Sequence, residues 1–157
     1  MNVLHMSRRL STPPTAGVAE GMTIRTFTPG DVAGWRSLRT RAFAAETPAV
    51  RPWTEADFAR EMTSKPWWRD EHTWLATPDD APAKLIGAVT LALRKDMPIV
   101  HWLMVDPAWR SRGIGAMLIH RVEQAVWKHG ERKIRLETHK NWQFAVALYT
   151  KLGYRIS

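Results

Sequence analysis

The stretch IVHWLMVDPAWRSRGIG, Ile99 to Gly115, decides how this chain folds. Its first part, Ile99–Val105, is almost continuously apolar, the pattern of a strand covered on both faces and central in its sheet. A turn containing Pro107 follows. Arg110-Ser111-Arg112-Gly113-Ile114-Gly115 then opens a long helix, expected over Gly113–His129. Ile114, Met117, Leu118, Val122, Ala125 and Val126 fall on one stripe of it, and Gly130 stands where a left-handed cap fits. In physical terms this strand–turn–helix junction is an anion site. The first amides of a helix have no internal partners, and the helix dipole adds partial positive charge. Gly113 and Gly115 let a pyrophosphate approach the backbone closely, and Arg110 and Arg112 add charge. The G-x-G-x-x-G dinucleotide fingerprint is absent, because Leu118 holds its last position, and so is the G-K-[ST] ending of a P-loop.

Outward from this junction, hydrophobic spacing predicts a mixed α/β domain over residues 22–157. Before it come a strand over Met22–Thr28, a helix capped by Asp31 and ending near Glu46, and a loop over Thr47–Trp53. A short helix follows Thr54 and Asp57, and two strands, His72–Thr77 and Lys84–Leu93, form a hairpin. After it come a strand over Lys133–Thr138, a helix over Trp142–Leu152 closed by Gly153, and a strand beginning at Tyr154. Residues 1–21, with Pro13, Pro14 and Gly17, show no periodicity and read as a flexible extension.

The 157 residues suit one domain with a hydrophobic core. The absence of cysteine rules out disulfides, a cysteine-ligated metal and a cysteine nucleophile, and fits a reducing, cytoplasmic setting. No apolar run reaches the length of about 20 residues needed for a membrane helix, so no membrane partner is expected. The net charge of +8 favours polyanions, including a phosphorylated cofactor. A nucleic-acid partner is not expected, since no stripe of basic and aromatic residues recurs on one element.

Val105, Pro107, Arg110, Gly113 and Gly115 resemble the [RQ]-x-x-G-x-[GA] acetyl-CoA motif that follows a V-x-P strand end in the GCN5-related N-acetyltransferase (GNAT) superfamily. Ala145-Val146-Ala147-Leu148-Tyr149-Thr150-Lys151-Leu152-Gly153-Tyr154 resembles its A-x-x-LY-x-K-x-G-[FY] segment. The resemblance implies a GNAT-like, mostly antiparallel mixed sheet with four helices, and acetyl transfer from acetyl-CoA directly to an amine, on a small molecule or a peptide. A non-catalytic acetyl-CoA-binding sensor or structural module is the alternative. No metal is implied.

The resemblance also implies site residues. Cofactor contacts would come from Leu103, Met104 and Val105 on the splayed strand, from Arg110, Ser111, Arg112, Gly113, Ile114, Gly115 and Ala116, and from Asn141. The Leu103 amide is the candidate to polarise the thioester carbonyl. Tyr149 would donate to the coenzyme sulfur, being protonated at neutral pH. For the general base three readings stay open: His101, on the face of Leu103 if the strand is regular; Glu137 on the adjacent strand; or water alone. A bulge would turn His101 away. Trp53, Trp67, Trp68 and Trp74 surround the presumed acceptor region, with Trp74 read as core.

Two departures from the family pattern stand out. Trp142 occupies the position of the usual asparagine, and Asn141 is one residue early. The family's last strand has no residues left to form it. The uncovered edge calls for a homodimer, for a longer natural C-terminus, or for the N-terminal extension folding over it, although Pro13-Pro14 make that a poor central strand.

Overall fold

The computed structural model describes residues 3–15, 17, 20–46, 50–95 and 97–157. The first three residues of the Thr47–Trp53 loop lie outside this range. The elements are β1 (Val3–Arg9), β2 (Met22–Thr26), α1 (Val32–Ala42), α2 (Glu55–Phe58, continued by a π turn over Ala59–Thr63), β3 (Thr73–Pro78), β4 (Gly87–Arg94), β5 (Met97–Val105), α3 (Ile114–Lys128), β6 (Lys133–His139), α4 (Gln143–Lys151) and β7 (Arg155–Ile156). The strands form one seven-stranded sheet in the order β2-β3-β4-β5-β6-β1-β7. Every pairing is antiparallel except β5 with β6.

The expected fold class therefore stands, with one substantial correction. Val3–Arg9 is not a flexible extension; it is a strand inserted between β6 and β7, in register with β6 from Val3↔His139 to Arg9↔Lys133. The place of the missing last strand is filled from the chain's own N-terminal end. Pro13 and Pro14 do not interfere, because they lie after the strand. The alternation Leu4, Met6, Arg8, Leu10 is a period-2 pattern with one charged member, and Met6 and Leu10 are fully buried. The edge that called for a covering partner is covered by β1.

Alternation along the central strands divides two cores. Trp74, Ala76, Val89, Leu91, Val100, Leu103 and Val105 face α3 and α4, where they meet Ile114, Leu118, Val122 and Tyr149. Leu75, Ala88 and Met104 face α1 and α2, where they meet Trp35, Leu38, Phe58 and Met62. The sheet touches α3 closely at Gly87, where a Cβ would lie 2.8 Å from Ile114 Cγ2.

Local chemistry explains the element ends. Thr54 and Asp57 form a reciprocal capping box at α2. Asp31 does not cap α1 with its side chain. Its carboxylate accepts from the Thr28 amide and from Arg25 at 2.7–2.8 Å. α1 stops at Ala42 rather than near Glu46. Gly130 and Gly153, both at positive φ, close α3 and α4 with Schellman bonds, Glu131 N to Val126 O and Tyr154 N to Tyr149 O. Among the described residues no helix is long and apolar enough to cross a membrane.

Candidate active site

β5 and β6 pair only at Ile99↔Arg135 and Val100↔Leu136, and then part. Beyond Val100 the β6-facing side of β5 is unpaired. A cavity of about 1070 Å³ occupies the divergence. Its walls include His101, Trp102 and Leu103 from β5, Leu136, Glu137 and Thr138 from β6, Trp142, Ala145 and Tyr149 from the α4 region, and Trp53, Trp67 and Phe43 from the α1–α2 side.

A bulge shapes the β5 wall. Ala88 pairs with Met104 and Thr90 with His101, so Val89 faces both Trp102 and Leu103. Trp102 takes φ 51°, a left-handed conformation costly for a bulky residue. The extra residue shifts the strand's phase. Val100 and Leu103, three apart, both face α3, whereas Trp102 and Met104 pack with the α1–α2 core. His101 and Leu103 therefore do not share a face, which corrects the reading for a regular strand. His101 instead stacks on Trp67, with ring centroids 5.2 Å apart and planes 13° from parallel. Its Nε2 is sealed from solvent with no hydrogen-bond partner among the described residues. Nδ1 is the nitrogen left to face the cavity. Burial holds the imidazole's pKa below its usual value, Arg94 adds to this, and Glu137 opposes it. The lowered pKa favours the neutral imidazole, which can accept a hydrogen bond from an incoming amine.

Tyr149 is 5% exposed, and its ring packs edge-on to Tyr154 at 5.7 Å. Its hydroxyl bonds to none of the described residues. Burial raises its pKa, keeping it a donor. Glu137 is largely exposed at the cavity mouth, with Oε1 3.6 Å from Nδ1 of His5 on β1. Asn141 is exposed and does not line the cavity; Trp142 does, in agreement with the departure seen in the sequence.

The glycine turn forms a cradle beside the cavity rather than part of its wall. No backbone amide from Arg110 to Ala116 donates to a described carbonyl, which leaves a run of free N–H groups at the start of α3. Ser111 and Gly113 hold it open with φ of 67° and 80°. A Cβ on Gly113 would meet nothing within 4 Å, so space for an anion exists there. These features fit a pyrophosphate-bearing cosubstrate. Two residues of this stretch also make packing contacts of their own. Arg110 turns inward, donating to Ala42 O at 3.0 Å and Val105 O at 3.3 Å and covering the Phe144 ring at 4.1 Å, so it braces the turn. Gly115 is buried, and a Cβ there would collide with Leu148 of α4, so it serves helix packing. Arg112 remains exposed, over Trp109 at 4.6 Å. Asp106 caps the preceding turn by accepting from Ala108 N at 2.9 Å, and Arg41 donates to it at 3.0 Å.

Trp74 is core, as read. Trp68 packs on Phe27 and Phe58 and donates to Asp70 at 2.7 Å, away from the cavity wall. The sequence reading missed Val3 and His5, because their strand went unread, and missed Trp102 and Trp142 as cavity residues. The period-2 alternation around Met6 was the available signal.

The sequence profile described as the Acetyltransferase (GNAT) family matches residues 33–154. The mycothiol acetyltransferases of Mycobacterium sp. (strain MCS) and Thermobispora bispora are 31% and 32% identical over 99% and 95% of the chain. The chain spans about half their length, 53% and 52%. A GCN5-related N-acetyltransferase structure from Sphaerobacter thermophilus superposes with a TM-score of 0.82 at 24% identity, over 99% of this chain and 48% of that one. The PaiA N-acetyltransferase of Thermoplasma acidophilum, solved with coenzyme A, gives 0.68 at 17% identity over 87% and 91%. These likenesses in fold, with the family match over most of the domain and the splayed β5–β6 cleft, lead to one conclusion: the chain belongs to the Acetyltransferase (GNAT) family.

Proposed function

We propose that this domain moves an acetyl group from acetyl-CoA directly to the amine of a ring-bearing small molecule. The observation that carries this reading is the cavity in the β5–β6 divergence, with Tyr149 on its α4 side and neutral His101 on its α2 side. Acetyl-CoA supplies the activated thioester. The free amides of Arg110–Ala116 are suited to its pyrophosphate, with Arg112 adding charge. The unpaired edge of β5 is suited to its pantetheine arm, and the Leu103 amide to the carbonyl oxygen where negative charge develops. Tyr149 is suited to hold a proton toward the departing sulfur. His101 Nδ1 takes the proton of the attacking amine, with Glu137 at the mouth as the second candidate and water as the third. Asn141 is exposed outside the cavity wall and is the weakest of the cofactor candidates.

Trp53, Trp67, Trp102, Trp142 and Phe43 supply flat apolar walls that suit a ring more than an extended peptide. The relatives' name, mycothiol acetyltransferase, supports acetyl transfer as the reaction. A cytoplasmic location belongs to this reading, supported by the lack of cysteine. The test is release of coenzyme A thiol with a panel of aminosugars, aromatic amines and peptide N-termini. Release is expected with ring-bearing small amines. Binding of acetyl-CoA with no amine-dependent release would leave only the binding module.

A further inference from the structure

Glu123 sits in the middle of α3 with its side chain 1% exposed. Burying a carboxylate is unfavourable unless it is paired and hydrogen-bonded, and here three groups converge on it. Arg8 Nη1 of β1 donates to Oε2 at 2.6 Å, the Tyr154 hydroxyl donates to the same oxygen at 3.1 Å, and His120 Nδ1 lies 3.0 Å from Oε1. None of these residues lines the cavity. Tyr154, however, is joined to Tyr149 twice. Its backbone amide donates to Tyr149 O at 2.9 Å, and the two rings pack edge to face. These are the hydrogen bond and the apolar contact of the Schellman motif that ends α4. Gly153, the left-handed residue of that motif at φ 95°, abuts Arg8: a Cβ there would lie 3.3 Å from Arg8 Nε. Three elements distant in sequence therefore meet around one buried charge. They are the N-terminal strand, the middle of α3, and the turn that ends the helix bearing Tyr149.

We propose that Arg8, Glu123 and Tyr154 form a positioning network that sets the Tyr149 ring, so that the inserted N-terminal strand completes the active site as well as the sheet. The proposal rests on Tyr149 as the proton donor. Arg8 neutralises Glu123, Glu123 anchors the Tyr154 hydroxyl, and the Tyr154 ring then limits where Tyr149 can turn. This explains why a segment with apolar Leu4, Met6 and Leu10 carries an arginine at the remaining inward position. It also accounts for a glutamate on the apolar stripe of α3, beside Val122 and Val126.

Tyr149 and Tyr154 are the only two tyrosines in the chain, which makes a direct test available. Labelling with 3-fluorotyrosine gives two ¹⁹F resonances, assigned with Tyr149→Phe and Tyr154→Phe. Arg8→Met and Glu123→Gln are each expected to shift or broaden the Tyr149 resonance. They should lower kcat by about tenfold or more, with KM for acetyl-CoA within about twofold, as for loss of an interaction made in the transition state. Arg8→Lys keeps the charge and should restore both. The Arg8→Met/Glu123→Gln double variant should lose no more than the worse single one, since the residues act through one ion pair. If Arg8→Met does not fold, Glu123→Gln and Arg8→Lys carry the test. A Tyr149 resonance and kcat unchanged in folded Glu123→Gln would overturn the proposal. A fully active Tyr149→Phe would instead remove Tyr149 as the donor, and the ¹⁹F shifts would still report the coupling.

Discussion

Gly115→Ala separates two roles for one glycine. If Gly115 exists to admit the cosubstrate's pyrophosphate, a methyl group should weaken acetyl-CoA binding and leave the fold alone. The structure gives the opposite expectation. Gly115 is buried where α3 passes α4, and a Cβ would overlap Leu148 Cδ2 well inside van der Waals contact. Either Leu148 leaves its rotamer or α4 moves outward. Overpacking of this kind costs about 1–3 kcal/mol. At about 2–4 °C per kcal/mol for a domain of this size, the thermal midpoint should fall by about 2–12 °C. Because Leu148 immediately precedes Tyr149, outward movement of α4 should also lower kcat. Acetyl-CoA affinity should hold, since the amides of Arg110–Ala116 are unchanged. Leu148→Ala is the internal control. Leu148 is half-buried, so its truncation should cost less than the 2–5 kcal/mol typical of a core leucine. In the Gly115→Ala background it should recover part of the lost midpoint. Differential scanning fluorimetry and calorimetric titration with acetyl-CoA decide the matter. An unchanged midpoint with lost acetyl-CoA binding would refute the packing role.

Other consequences are equally direct. Tyr149→Phe should reduce turnover by about 10²–10⁴ if protonation of the sulfur is limiting, with little change in acetyl-CoA affinity; normal turnover would make Tyr149 a packing residue. Gly113→Glu should abolish acetyl-CoA binding by placing like charge in the amide cradle, with strain at φ 80° adding a modest loss of stability; unchanged affinity by calorimetry would remove the basis for the cradle. His72 and His101 both have pKa values lowered, in each case chiefly by burial. The unfolded chain therefore binds more protons than the native one below a pH of about 6.5, so stability should be full above that pH and fall as acid is added. Denaturant midpoints compared at about pH 7.5 and about pH 5 check this, and a midpoint that rises in acid would contradict the buried, neutral histidines.

Much of the domain could be read from local pattern. The apolar run to Val105, the stripe on α3, the Thr54–Asp57 capping box and the glycine stops of α3 and α4 all act through neighbours in sequence, so each was visible there. The amide cradle at Gly113 was legible for the same reason: free N–H groups at a helix start are a local property. Tyr149 was singled out through a spaced segment that resembles the family's, and it lines the cavity.

What only the tertiary structure decided depends on residues that meet across the chain. Val3–Arg9 becomes a strand because β6 and β7 leave a slot for it, and because Glu123, more than a hundred residues away, accepts the charge of Arg8. Nothing local distinguishes that arginine from a solvated one. The bulge at Trp102 moves His101 off the face of Leu103, since its phase is set by how β5 pairs with β4 rather than by its own composition. Arg110 and Gly115 have the residue types an anion site needs, yet the arginine meets Phe144 and the glycine meets Leu148. Residue type and spacing determined that this chain would build a GNAT sheet with an amide cradle at its centre. Long-range packing determined which of the charged and small residues near that cradle face the cavity and which hold the walls.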